Sequence, residues 1–292
     1  MNFEPQKVLE LSKALSLKTP KIHGTYLITE KLDGWYVYIN YSREHGWDMP
    51  RSSAGRVIPS LKWSKSLFTS LGKLSFDCTL IAEVTIEDLP FHILNGRLNR
   101  SVGNCDCLDA IFNLHDIVVY GKLYKAIDRY NILQNLIGTI VTDNLIKVVP
   151  VQLASEFDKT IWYRVFDRLV DKGAEGIVAK RADSLYTFGK RNADLLKIKL
   201  ELTVDCLAVG LEESIGKQGE DSLTLVSSRK NGTLIRTVIN NHQDQEYFRN
   251  NSIDILGKVV VELKAMEEYP NGQLRQPVFK CIREDKTYKD ID

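Results

Sequence analysis

Apolar and polar positions alternate through Tyr26-Leu27-Ile28 and again from Trp35 to Tyr41, the period-two pattern of strands covered on one face. Between them lies the polar run Glu30-Lys31-Leu32-Asp33-Gly34, which sets one lysine at a strand end beside a carboxylate and a glycine. Upstream, Val8, Leu9, Leu11 and Leu15 recur at near-helical spacing and predict a short helix from Pro5 to about Leu15. Further strands are predicted over Leu80 to Ile86 and Ile111 to Tyr120, with a helix from Lys122 to about Leu136. Ser155 stands three residues before Asp158, a capping-box-like start. Ile161, Val165, Phe166, Leu169 and Val170 then line one helix face until Gly173 stops it. Gly176 to Ala179 and Leu195 to Leu200 complete this part as strands.

After about Leu202 the texture turns all-β, with strands predicted over Val204 to Val209, Ser222 to Ser228, Thr233 to Ile239, Lys258 to Ala265 and Val278 to Ile282. Asn231-Gly232 and Asn271-Gly272 lie between such runs and predict the tightest hairpins, in which both central residues take positive φ. Five short strands in about 90 residues suit a small barrel of oligonucleotide-binding (OB-fold) type. The expected class is α+β, with residues 1–201 as one domain and residues 202–292 as an all-β second.

The 292 residues are 43% hydrophobic, enough for one large core and one small one. No apolar stretch approaches the roughly 20 residues that span a bilayer, and Met1-Asn2-Phe3-Glu4-Pro5 lacks a basic region followed by a hydrophobic one. An intracellular monomer is expected, in cytoplasm, nucleoid or a viral replication site. Cys78, Cys105, Cys107, Cys206 and Cys281 are odd in number and scattered, which argues against a disulfide framework. Cys105 and Cys107, with only His92 and His115 as partners, make a poor zinc site. A net charge of +1 gives no global pull on a polyanion. Locally, Lys180, Arg181, Lys190, Arg191, Lys197 and Lys199 face only Asp183 and Asp194, a cluster that is either a solvated face or a track for phosphates.

Chemistry concentrates at a few positions. An amine attacks phosphorus only when neutral, so Lys31 would need burial or a nearby cation, and Gly34 would let a nucleotide approach the backbone. Pro50-Arg51-Ser52-Ser53 is a candidate phosphate or ribose contact, with Arg43 and Arg56 as competitors for the role. Glu83, within Ile81-Ala82-Glu83-Val84, is a carboxylate in an apolar strand and demands a cation, metal or hydroxyl opposite. Glu175-Gly176-Ile177-Val178 repeats the pattern. Lys197 and Lys199 share one strand face, where a triphosphate would relieve their repulsion. The structural alternatives are a turn lysine, paired strand carboxylates and edge lysines that deter aggregation.

The ordered series Lys31-x-Asp33-Gly34, Glu83, Glu175-Gly176, Lys197-x-Lys199 and Arg283-x-Asp285-Lys286 resembles the covalent nucleotidyltransferases, and among them small, core-only ATP-dependent DNA ligases. Leu185-Tyr186-Thr187-Phe188-Gly189-Lys190-Arg191 and Leu274 to Lys286 extend the resemblance, which runs from about Tyr26 to Lys286. It implies an ATP-grasp-like nucleotidyltransferase domain of antiparallel sheets with flanking helices, followed by the barrel. It also implies ATP as substrate, held as AMP on Lys31, with magnesium or manganese as the ion. By the same resemblance Glu30, Asp33 and Arg51 lie near the nucleotide, Glu83 at the ribose or metal, and Glu175 at the metal. Lys197 and Lys199 would hold the α-phosphate, and Arg283 and Lys286 would orient pyrophosphate before swinging away on a hinge near Leu202. Nicked duplex DNA is the implied partner, with Lys190 and Arg191 as candidate contacts.

Two positions depart from the family pattern. Tyr36 stands where most relatives have arginine, and His115 stands where an aromatic stacks on adenine, with Phe112 as the nearby alternative. An NAD-dependent ligase is disfavoured because those enzymes share an added N-terminal domain and 30 residues precede Lys31 here. The rival expectations are an mRNA-capping guanylyltransferase, an RNA ligase and a non-catalytic nucleic-acid-binding module.

Overall fold

The computed structural model describes residues 3–16, 22–100, 106–138, 144–154, 157–215 and 221–292, which leaves the predicted roles of Ser155 and Cys105 outside the described residues. It divides into two compact units, Met1–Lys199 and Leu200–Asp292. Among the described residues no helix is long and apolar enough to cross a membrane.

The first unit is built on two sheets. Along the chain run β1 (Lys7–Glu10), α1 (Leu11–Leu15), β2 (Tyr26–Lys31), β3 (Trp35–Ser42), β4 (Gly46–Trp47), β5 (Arg51–Ser52), α2 (Ser64–Thr69), β6 (Cys78–Thr85) and α3 (Phe91–Leu98). Then come β7 (Ile111–Val119), α4 (Ala126–Gly138), β8 (Ile146–Val148), β9 (Val151–Ala154), α5 (Lys159–Val170), β10 (Gly176–Arg181) and β11 (Arg191–Lys199). One sheet has the order β1-β11-β10-β2-β9. The other has the order β4-β3-β6-β7-β8, with β5 paired to β3.

Alternation decides which side chains leave each core. In the first sheet Ile28, Ile177, Leu196 and Ile198 pack on Trp162, Val165 and Phe166 of α5. In the second, Val37, Ile39, Leu80, Ala82, Val84, Phe112 and Leu114 form the core with Phe68 and Leu94. The intervening positions, Thr29, Lys31, Val178 and Lys197 on one sheet and Tyr36, Ile81 and Glu83 on the other, line a common cleft.

Three local expectations are corrected. Residues 7–10 are a strand, not helix: Leu9 pairs with Leu196 and Glu10 with Lys197 in a parallel ladder, and this tertiary pairing overrides a weak helical spacing. At α5 the N-cap is Asp158 itself, whose carboxylate accepts from the Thr160 and Ile161 amides at 2.7 and 3.1 Å. The helix ends before Gly173, which takes φ +91°. Helices α2 and α3 were not expected; on α3, Arg97 grips Asp109 through two bonds.

The second unit contains β12 (Leu202–Ile215), β13 (Asp221–Ser228), β14 (Leu234–Ile239), α6 (His242–Asn250), α7 (Ser252–Ile255), β15 (Val260–Ala265) and β16 (Val278–Arg283). The strands form one five-stranded sheet in the order β14-β13-β12-β15-β16, with antiparallel pairings throughout. The two helices interrupt the expected all-β texture. Asn241 caps α6, and Phe248 and Ile255 insert into the core with Val204, Leu223, Leu225 and Leu263. The Asn-Gly turns also differ from expectation. Gly232 and Gly272 take positive φ, but Asn231 and Asn271 do not. Each asparagine instead accepts from the amide two residues on, and the Gly232 and Gly272 amides bond back to Arg229 and Tyr269. This is a type I turn closed by a left-handed glycine, the longer hairpin solution.

Candidate active site

The cleft of the first unit is assembled by strand register. Gly176 at the start of β10 pairs with Lys31 on one side and Lys199 on the other, and Val178 pairs with Thr29 and Lys197. Lys31, Lys197 and Lys199 therefore share one face of the sheet, and Glu175 enters from the loop just ahead of Gly176. Lys31 donates from Nζ to Glu175 Oε2 at 2.5 Å. Glu175 Oε1 is buried and makes no hydrogen bond.

At both motif glycines the neighbouring chain leaves no room for a side chain. A Cβ on Gly34 would stand 2.5 Å from the Val84 carbonyl oxygen and 2.7 Å from the Glu83 side chain. On Gly176 it would stand 2.1 Å from the Ile198 carbonyl oxygen. At Gly34 strand-to-strand contact by itself demands a glycine.

Glu83 faces the cleft from β6. Its carboxyl is pushed up to about 7 by loss of solvent, with Lys31 opposing and with Glu175 and Asp33 adding to the rise. Asp33 thus acts on the cleft through its charge. Lys197, half-buried, is held below the usual lysine range by burial, with Glu10 opposing and Lys199 and Lys31 adding. Glu30 falls on the opposite face from Thr29 and Lys31 and is exposed at the rim.

His115 reaches the cleft through an irregularity of β7. Ile81 pairs with Asp116 and Ala82 with Leu114, so His115 is an extra residue opposite no partner. The bulge inverts the alternation: Phe112 and Leu114 before it and Ile117 and Val119 after it all pack into the core, while His115 and Asp116 both face the cleft. Phe112 is fully buried against Phe68 and Trp63, which removes it as the base-stacking alternative. The His115 ring lies 6.2 Å from Tyr36, and burial followed by the charge of Lys180 pushes its imidazole down to about 4.

Sequence reasoning overlooked the buried network behind this bulge. Asp116 accepts from Lys180 at 2.5 Å and from Arg129 at 2.8 Å, and Lys180 also donates to the His115 carbonyl at 3.0 Å. Burial opposes ionisation of Asp116, but Lys180 and Arg129 prevail and hold it well below the usual carboxylate range. An aspartate inside Leu114-His115-Asp116-Ile117, where the pattern demands core, was the available signal.

Several predicted residues stand elsewhere. Arg51 is engaged within its own turn, by Asp48 at 3.3 Å and the Gly55 carbonyl at 3.1 Å. Arg43 pairs with Asp77 at the surface. Neither they nor Arg56 line the cleft. Lys190 and Arg191 are exposed. Arg283 and Lys286 belong to the second unit, where both engage Asp205; Arg283 also pairs with Asp285 at 2.7 Å. Among the described residues no group of three or more metal-ligating side chains occurs.

A family model described as "ATP dependent DNA ligase domain" matches residues 22–199. A DNA ligase of Methanospirillum hungatei is 29% identical over 249 residues, which cover 74% of this chain and 43% of that protein. DNA ligase 4 of Kluyveromyces lactis is 27% identical over 245 residues, covering 72% and 26%. The chain thus spans less than half the length of these two curated relatives. Among solved structures, one described as Pmar-Lig_Pre superposes with TM-score 0.80 at 19% identity, covering 97% of this chain and 68% of that one. A second, from a study of DNA binding by Lig E DNA ligases with a minimal scaffold, gives TM-score 0.75 at 17% identity over 97% and 100%.

Proposed function

The chain belongs to the ATP-dependent DNA ligase family, and from that premise we propose that it joins 5′-phosphate and 3′-hydroxyl ends at nicks in duplex DNA. The observation that carries the reading is the position of the Lys31 amine, 2.5 Å from Glu175 and on the same sheet face as Lys197 and Lys199. Three in-line displacements at phosphorus follow. The Lys31 nitrogen forms a bond to the α-phosphorus of ATP as the bond to pyrophosphate breaks. The 5′-phosphate of the nick then takes AMP from Lys31, and the 3′-hydroxyl oxygen attacks that activated phosphate as AMP departs.

Within the chain the roles divide by position. Lys31 is the nucleophile. Lys197 and Lys199 hold the α-phosphate oxygens, where negative charge builds during each displacement. His115, backed by Tyr36, offers the base a neutral imidazole face. Asp33 and Glu30 border the nucleotide. The unpartnered Oε1 of Glu175 and the carboxyl of Glu83 fit a hard divalent cation, magnesium or manganese, completed by phosphate oxygens. When bound, that ion neutralises phosphate charge and polarises the P–O bonds.

Residues 1–201 serve as the adenylation domain and residues 202–292 as an OB-fold domain in this reading. Arg283 and Lys286 orient pyrophosphate, and exposed Lys190 and Arg191 meet the DNA backbone. The protein acts as a monomer.

The test is to incubate the chain with magnesium and α-labelled ATP, GTP or NAD, then to add nicked DNA or nicked RNA. Label on the protein from ATP, discharged by nicked DNA with strand joining, is expected. Label from GTP alone would replace this reading with a capping enzyme, and absence of label from all three would leave a binding module.

A further inference from the structure

The lysines of the cleft differ in their partners. Lys31 has Glu175, whereas Lys197 has a carboxylate from β1 that no part of the reading above uses: Glu10 Oε1 lies 3.6 Å from Lys197 Nζ. The contact is built by register. Glu10 pairs with Lys197 in the parallel β1–β11 ladder, and Val8 of the same strand and Gln6 just before it line the cleft. The other oxygen of Glu10 lies 3.4 Å from Lys13, whose side chain is 68% exposed. The Glu10 and Lys197 side chains are 29% and 20% exposed, so their attraction is only partly screened.

We propose that Glu10 is a positioning residue: an internal anion that holds Lys197 in place of a phosphate and must share it with the α-phosphate of the incoming nucleotide. The inference rests on the ATP-dependent adenylation proposed above. Glu10 stays beside the site once nucleotide is bound, and its charge repels the phosphates it has made way for. It therefore loosens nucleotide and AMP product while keeping Lys197 aimed into the cleft.

The experiment measures initial rates of label transfer to Lys31 against the concentration of α-labelled ATP, with AMP as inhibitor, for Glu10→Gln, Glu10→Asp and Lys13→Gln. Glu10→Gln is expected to lower KM for ATP about threefold or more, with kcat within about twofold, and to strengthen AMP inhibition. The difference should shrink as salt is raised. Glu10→Asp should restore wild-type behaviour. Lys13→Gln, at an exposed site outside the machinery, frees Glu10 for Lys197 and should move KM upward. An unchanged or raised KM in Glu10→Gln overturns the inference. Should Glu10→Gln fail to fold, Lys13→Gln decides: a raised KM supports the inference and an unchanged one overturns it. A wild-type chain that takes no label from ATP overturns the proposed function as well; label with unmoved KM values overturns this inference alone.

Discussion

Lys31 and Glu175 are separated by 144 positions in the chain, yet the amine of one donates to the carboxylate of the other at 2.5 Å. The pairing of β2 with β10 brings them together, because Lys31 faces Gly176 across the ladder and Glu175 immediately precedes it. One register thereby sets an amine, the carboxylate that holds it and a buried carboxylate oxygen without a hydrogen bond.

Attack on phosphorus needs a nitrogen lone pair, so charge alone at position 31 is insufficient. Lys31→Arg keeps the cation but offers no free lone pair, since guanidinium stays protonated. Label transfer from α-labelled ATP should fall by about 10³-fold or more, read on a denaturing gel. Near-wild-type labelling of this variant would reassign the nucleophile.

Gly176 is constrained by strand packing. A methyl group there would lie 2.1 Å from the Ile198 carbonyl oxygen, with the Lys199 Cα at 2.7 Å, and backbone cannot move aside as a side chain can. Gly176→Ala should destabilise the first unit by about 2 kcal/mol or more, measured by urea unfolding, and should disturb Lys31 and Lys199 together.

Glu83 supplies a pH dependence. Its ordinary carboxyl value of 4.5 is raised to about 7 on folding, chiefly by burial. Between these values the folded chain holds a proton that the unfolded chain has released. The stabilisation is complete below about pH 4.5, declines as pH rises and is gone above about pH 7. Unfolding free energies at pH 5 and pH 8 should therefore differ less in Glu83→Gln than in wild type, by on the order of 2–3 kcal/mol. Equal differences in the two proteins would show that this carboxyl titrates normally.

The network behind His115 is structural in origin. Asp116 and Arg129 are 4% and 2% exposed and Lys180 is 14% exposed, so Asp116→Asn leaves two cations in low dielectric with no counter-charge. A loss of about 3–5 kcal/mol in urea unfolding is expected. Because Lys180 also bonds the carbonyl of His115, a weaker hold on the bulge should raise KM for ATP in whatever fraction stays folded.

Much of the site can be derived from local pattern. Period two alone puts Glu83 on the non-core face of β6 and sets Lys197 and Lys199 on one face of β11, and the turn after β2 marks Lys31 as exposed to chemistry. These follow because strand alternation is intrinsic to the backbone and needs no knowledge of neighbours. What the chain could not reveal by itself are contacts between distant segments. Whether residues 7–10 are helix or strand depends on an edge offered by β11, and Glu10 meets Lys197 only through that edge. His115 turns inward because Ile81 and Ala82 leave it unopposed, and Phe112 is committed to the core by rings from α2 and its flank. The ion pair of Lys31 and the close approach at Gly176 likewise exist only once β2, β10 and β11 lie side by side. Local sequence determined which faces were polar; tertiary packing decided which polar groups meet, because register between strands is set by the summed burial of whole sheets rather than by any one residue.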